Sequence, residues 1–434
     1  MLYVDFLGPS SSPAMKQRAR AGQGVYGVQL FDFDRPTGEY QVPEDEAAID
    51  PDLAVTELLP VVPTYSNKSV AVFVLDIRSH KTPWKDGSAA YQPDYDGDFL
   101  GERQWQWFET ALRRSRAAVN VVVSGLQVHA NIFPDGNIAE AWERYPRAQQ
   151  RLFEALLQPG VEAPLLISGD VHMTQLMRKD CVHRTRGRSD ENNKSVEAVY
   201  DVRSRRSLVE MTTSGMTHSW GTINSPPKNQ LNKRPTWAER YQSFAARTLM
   251  HSLHQFCPWT SLMYANRAGT VQSNAPTWES GGGEQARGGL QYSLQKNFGE
   301  LEFDWGARTV TLRTLGNTPH AAPLLSAKLS MDQLSGRRLV PDGLATSFDF
   351  EAVDRMHDQH LPDREWICVN YRGFDNRLMH MVGHLSTAVV LVALLPVPLL
   401  LPAVAILFRR RRRRRSHNHC ILDMSASSSF KSIA

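Results

Sequence analysis

Between Val70 and Ser168, three short apolar runs alternate with two segments of helical spacing. That alternation restricts the chain to a small set of folds. Val70–Leu75, Val119–Val123 and Leu165–Ser168 read as buried strands, each too short for a helix of ordinary length. Leu100–Arg114 places Leu100, Gln104, Trp107, Phe108 and Leu112 on one side of a helix. Arg113, Arg114 and Arg116 lie near its C-terminus, where positive charge favours the helix dipole. Ala141–Leu157 reads as a second helix whose main run starts at Pro146, a favoured first-turn residue. Strand, helix, strand, helix, strand predicts an α/β core with a sheet between helices. The chain has 434 residues, 41% of them hydrophobic, which is ample for the core of one large domain.

Packing does not explain the polar residues just past the three strand ends. Asp76 and Arg78 follow the first strand, and Gln127 follows the second. The third ends in Ser168-Gly-Asp-Val-His172, where Gly169 permits a sharp turn. Open α/β sheets bind ligands at this end. Asp170 and His172 offer a carboxylate oxygen and an imidazole nitrogen, donors suited to Zn, Fe or Mn. The guanidinium of Arg78 either clamps a phosphate through two parallel hydrogen bonds or pairs with a carboxylate to hold the strand end. Gln127 is a candidate supporting amide. His218, in a Ser/Thr/Gly-containing loop, either lines the site or bonds to backbone.

The same segments resemble the PhoD-like metallophosphatases of the calcineurin-like metallophosphoesterase superfamily. The matching pieces, in order, are Asp5–Gly8 (DFLG), Gly24–Phe33, Val72–Arg78, Leu100–Leu112, Val122–Gln127, Glu140–Pro146, Ser168–His172, Glu210–Trp220 and Asn297–Trp305. The resemblance covers Tyr3–Gly316 and implies a metallophosphoesterase-type sheet core flanked by helices. It implies phosphate-ester hydrolysis through a metal-activated water, with Asp76, Arg78 and Gln127 as catalytic candidates. Asp170 and His172 become candidate metal ligands and His218 a site-lining residue. The implied cofactors are divalent or trivalent ions such as Fe, Ca, Zn or Mn. Members of the family carry their first metal motifs upstream of the DFLG segment. This chain has neither those motifs nor a signal peptide before it, and one missing N-terminal segment would account for both. The expectation is therefore an N-terminally truncated form, with a core incomplete on that side and an incomplete metal site.

The other legible features lie outside that core. Insertions are expected at about 36–69, 184–206 and 221–290, with an extension at 317–384. Gly299–Trp305 and Thr309–Thr314 read as a hairpin around Gly306-Ala-Arg308 that closes the sheet. Leu385–Phe408 is uncharged and apolar over 24 residues, long enough to cross a bilayer even with Pro396, Pro398 and Pro402 inside it. Arg409–Arg415 follows as a positive-inside anchor. These features predict a single-pass protein whose main domain is lumenal or extracellular and whose tail, 409–434, is cytosolic. Past Phe408 there are seven Arg, one Lys and one Asp, a net +7. The total is +4, so the rest sums to −3 and nucleic acid is an unsuitable partner. The expected partners are a phosphate-ester substrate and membrane lipid around the span. The four cysteines allow at most one bridge among Cys181, Cys257 and Cys368 on the domain side. The sequons at Asn67 and Asn193 are glycosylation candidates. A catalytically impaired, membrane-tethered binding or scaffold protein is the alternative to the enzyme.

Overall fold

A computed structural model of the chain describes residues 13–34, 66–83, 97–130, 140–186, 198–220, 292–316, 322–337 and 363–370, with a few further positions between 236 and 392. Its centre is a mixed sheet. The strands are β1 (Gly27–Asp32), β2 (Ser69–Val74), β3 (Val119–Ser124), β4 (Pro164–Ser168), β5 (Thr174–Arg186) and β6 (Ala198–Thr213). Later in the chain come β7 (Gln272–Ser273), β8 (Tyr292–Ser293), β9 (Asn297–Asp304), β10 (Thr309–Gly316), β11 (Leu325–Ser330) and β12 (Trp366–Asn370). The main sheet runs β1-β2-β3-β4-β6-β5-β12, with β8 also on β5. The pairs β2–β3, β3–β4 and β4–β6 are parallel. The three expected strands are thus adjacent at its centre. The insertion at 36–69 separates an antiparallel pair, β1 and β2.

Strand alternation sorts side chains onto two faces. Ala71, Phe73, Val122, Leu166 and Leu208 face a helical layer. That layer holds α2 (Glu102–Arg114) and α3 (Pro146–Leu157), after a first helix α1 (Pro13–Arg20) near the start of the described chain. Trp105, Trp107, Phe108 and Leu112 of α2 are buried, and Trp107 packs against Tyr26 at 4.8 Å between ring centroids. Asp98 accepts from the Gly101 N–H and the Trp105 Nε1–H, organising the first turn of α2. Arg151 of α3 donates to Glu102 and Glu109 of α2, joining the helices at their exposed edge.

The opposite face differs from the expectation of helices on both sides. Val70, Val119, Val121, Leu165, Val209 and Met211 pack against Val310, Leu312, Leu325 and Ala327 of a second, four-stranded sheet. Its order is β7-β11-β10-β9, all antiparallel. The expected hairpin forms, as β9 and β10, but it builds this second layer and does not close the first sheet. The cause is its alternation, with Val310, Leu312 and Thr314 buried on one side of β10 and partly exposed residues between them. A short helix, α4 (Met331–Leu334), follows β11. Arg206 of β6 donates to the carbonyls of Leu157, Gln158 and Val161, satisfying the C-terminal end of α3.

Cys181 on β5 and Cys368 on β12 are directly opposed and form a disulfide. Cys257, Cys420, Asn193, the Gly-rich stretch 281–289 and the Arg409–Arg415 run lie outside the described residues, as does nearly all of the apolar segment 385–408. Among the described residues no helix is long and apolar enough to cross a membrane.

Candidate functional site

The loops at the C-terminal ends of β2, β3 and β4 stand side by side. A methyl group on Gly125 would sit 3.1 Å from Ile77 Cδ1, and one on Gly169 would sit 3.7 Å from the Gly125 carbonyl oxygen. The tight position is Gly125, where a side chain would press on Ile77; at Gly169 the contact would be an ordinary one.

The loop after β4 holds two of the non-glycine residues with positive φ among the described residues. Asp170 has φ 72° and His172 φ 52°, both in the left-handed region although neither is glycine. Such residues cost on the order of 1 kcal/mol each and persist where surrounding contacts impose them. Here the contacts are explicit. The His172 N–H donates to Ser214 Oγ, and the His172 carbonyl accepts from the Trp220 N–H at 3.2 Å. Trp220 Nε1 donates to the Val171 carbonyl at 2.7 Å. The loop is thus clamped by the segment after β6. That segment also brings His218 against His172, with ring centroids 3.8 Å apart. Asp170 and His218 are exposed and His172 is partly so, leaving their side chains open to a ligand.

Beneath this loop lies a buried polar chain. Gln127 Nε2 donates to Gln175 Oε1 and to Thr212 Oγ1. The Thr212 and Ser168 hydroxyls are 2.8 Å apart, and Ser168 donates to Glu210. Glu210 also accepts from the Val128 and His129 N–H groups, at 2.9 and 2.6 Å. Its carboxylate therefore ties the loop after β3 to the end of β4. Burial pushes the Glu210 pKa up against these donors. Gln127 is an amide buried in this chain. His129 is fully buried, and burial drives its pKa down to about 3, so its ring is neutral.

Asp76 and Arg78 play different parts. The Asp76 carboxylate accepts from the N–H groups of Val25, Arg78 and Ser79 and from the Ser79 hydroxyl. Burial alone would raise its pKa, but these donors outweigh it and hold the carboxyl below its usual value. Gln104 of α2 grips the backbone of the same residue, accepting from its N–H and donating to its carbonyl. Asp76 thus shapes the loop, and Arg78 projects from it. Arg78 is exposed and pairs with Glu140, which also receives Lys81 Nζ at 2.6 Å. Glu140 sits just before Trp142, whose N–H donates to the Gln127 carbonyl and whose Nε1 donates to Ser124 Oγ. The ion trio therefore stands on the same rim as the β2 and β3 loops.

The donor set suits a metal in kind, with carboxylate oxygen and imidazole nitrogen on Asp170, His172 and His218. Among the described residues no group of three or more His, Cys, Asp or Glu side chains is gathered tightly enough to hold an ion.

Residues 67–252 match the family model described as PhoD-like phosphatase. Over this stretch, less than half of the chain, the sequence is similar to PhoD-like phosphatases. A solved structure described as "Structure of PhoD" shares 19% identity over 37% of this chain, with a TM-score of 0.25. The chain spans about 29% of that PhoD chain. The comparison with curated proteins found no match.

Sequence reasoning singled out residues at the strand ends but gave no role to Lys81, Glu140 or Glu210. Glu210 left a signal, as a lone carboxylate inside the apolar run Leu208-Val-Glu-Met211. Glu140 opens the matching segment Glu140–Pro146, but its pairing with Lys81 left no signal, because 59 positions separate the two.

Proposed function

We propose that this chain is a metal-dependent phosphoric ester hydrolase. The observation that carries the reading is the strained SGDVH loop, which presents Asp170 and His172 beside His218 at the end of a parallel sheet, within the PhoD-like stretch. Asp170 and His172 would hold the metal, which supplies an activated water and polarises the phosphate oxygens. Ser214 and Trp220 fix the loop, Gln127 and Glu210 support it from below, and Arg78 binds the anionic substrate. A partial ligand set favours weak metal binding, so turnover should saturate only at high metal concentration.

The cellular setting is proposed on separate grounds. The Cys181–Cys368 disulfide favours an oxidising compartment. Asn67 itself lies in an exposed turn, which suits glycosylation, although Ser69 of its sequon is buried. Both support a lumenal or extracellular domain, with the 385–408 segment as its anchor and the arginine run in the cytosol.

The test is hydrolysis of an aryl phosphate by the purified chain, titrated with Zn, Mn, Fe or Ca. Asp170→Ala and His172→Ala should each lower metal-dependent turnover by about a hundredfold or more. Turnover that ignores both substitutions would overturn the assignment. Metal-independent behaviour with no turnover would favour a membrane-tethered scaffold.

A further inference from the structure

The segment after β6 is fixed at both ends and exposed in the middle. The Ser214 N–H donates to the Met173 carbonyl, and the Gly215 carbonyl accepts from the Asn297 N–H. A methyl group on Gly215 would stand 2.6 Å from Asn297 Nδ2, so the chain runs close against that residue. At the other end Ser219 is buried, and Trp220 donates to the carbonyls of His172 and Val171. Between these anchors Met216, Thr217 and His218 are all exposed. Met216 is 74% exposed. One exposed apolar side chain is ordinary on a protein surface. This one shares its short loop with Trp220, which packs with Val171 and Ala130 against a buried cluster holding Met173 and Tyr292. Trp220, Val171 and Ala130 are each only partly covered. Apolar surface therefore borders the Asp170–His172 loop on this side.

Sheet order separates this surface from Arg78. β2, β3, β4 and β6 are adjacent and parallel, so their C-terminal ends lie along one rim. Arg78 follows β2, Asp170 and His172 follow β4, and Met216 follows β6. A phosphate held between Arg78 and the loop after β4 leaves the β6 side for the organic group it carries. We propose that Met216, with Trp220 and Val171, takes this organic group, and that the substrates are phosphate esters of apolar alcohols. This inference rests on the hydrolase reading of the loop after β4 and names its substrate class. The polar groups on the β6 side are already engaged. Ser214 Oγ accepts from the His172 N–H, Thr217 Oγ1 lies 3.2 Å from His218 Nδ1, and Trp220 Nε1 is spent on the Val171 carbonyl. Little hydrogen-bonding capacity is left for the hydroxyls of a sugar or polyol. What faces out instead is a thioether, part of an indole and the methyls of a valine. The unbranched methionine adapts to apolar groups of different shape, and covering it removes apolar area from water on ligand and protein together.

Two probes test the assignment, hexylphosphonate and methylphosphonate. They share a headgroup and differ only in the length of the apolar chain, and in both the phosphorus is bonded directly to carbon, so neither is hydrolysed. Binding of each is measured calorimetrically on the full chain with manganese added. The native chain should bind hexylphosphonate more tightly than methylphosphonate, by roughly tenfold. Met216→Ser should cut that ratio by about three- to fivefold through weaker hexylphosphonate binding, and Met216→Leu should restore it. The side chain is exposed, so neither substitution threatens the fold. In turnover, Met216→Ser should raise KM for hexyl phosphate, and Met216→Leu should bring it back. No preference for hexylphosphonate, or a preference that Met216→Ser leaves intact, would overturn the proposal. An intact preference with a changed sedimentation coefficient would assign Met216 to a contact between two copies of the chain, and would overturn it equally. The two readings fail separately. A preference lost in Met216→Ser, without metal-dependent turnover of an aryl phosphate, sinks the hydrolase and leaves the apolar surface as a binding site. Metal-dependent turnover with the preference unchanged in Met216→Ser sinks the substrate class alone.

Discussion

Asp76 sits at the end of an apolar strand with every one of its near donors supplied by the chain itself. Three backbone N–H groups and one hydroxyl point at it. Its folded-state pKa is lowered from 3.8, because these bonds outweigh the opposing cost of burial. The unfolded chain therefore holds the proton more tightly than the folded one. The stabilising contribution is present above about pH 3.8 and is lost as pH falls through the folded value. The stability gap between the native chain and Asp76→Asn, read by urea unfolding, should be full at neutral pH and close on the acid limb. A gap constant over that range would remove Asp76 from this role. The residue itself was legible in the sequence, as a carboxylate just past a strand. Its role was legible only in part: Ser79 and Arg78 are close in sequence, but Val25 is 51 positions away and donates through its backbone. The same limit applies to Arg78. The pattern exposed a guanidinium at a strand end, and only the fold shows which carboxylate it meets.

Among elements, the short-range pattern carried furthest where period and partner agree. The α2 positions chosen by helical spacing, Gln104, Trp107, Phe108 and Leu112, are all buried. Trp105 is buried as well, because Asp98 and Arg151 reach around to cover it. The β9–β10 hairpin was legible too, but not its layer, since alternation marks which face is apolar and not what it meets. A glycine settles that contact. A methyl group on Gly299 of β9 would stand 2.7 Å from Thr213 Cγ2 and 2.9 Å from Met211 Cε on β6. Met211 ends in a flexible methyl, but Thr213 is β-branched and stiff. Thr213 leads directly to Ser214, which holds His172. Gly299→Ala should therefore cost about 1–3 kcal/mol in urea unfolding, as overpacking does. It should also weaken metal-dependent turnover through the displaced His172 loop. Gly306→Ala is the control, because its new methyl would meet only Asp304 Oδ1 at an ordinary 3.6 Å. Equal losses at the two positions would show that the close approach of β9 to β6 is not what limits packing there.

At the scale of the whole molecule, the edge of the main sheet is closed by chain from far downstream. β12 is five residues long and pairs with β5, one of the longest strands in the fold. So short an edge strand has few ladder bonds to hold it. It gains support from Gln150, which donates to the Trp366 carbonyl, and from the Arg184 N–H, which donates to Glu365. Asp354, which precedes it, is gripped by Arg184, Arg364 and Tyr200. The covalent link between Cys181 and Cys368 spans 187 positions. No local period encodes such a pairing, and cysteine counting left three pairings open. Closing so long a loop removes much conformational freedom from the unfolded chain, a contribution of about 2–5 kcal/mol. Cys368→Ser should lower stability by an amount in that range under oxidising conditions. It should have little further effect when the native chain is compared with it under reducing ones, since both then lack the bridge. The loss should be concentrated where the strand lies. Amide exchange at 366–370 should quicken, while β2, β3 and β4 at the centre of the sheet keep their protection. The strand-end loops stand on those central strands, so turnover measured at low temperature should survive the substitution. A loss of protection spreading evenly through the central strands would mean that β12 belongs to the cooperative core and is more than a strap across its edge.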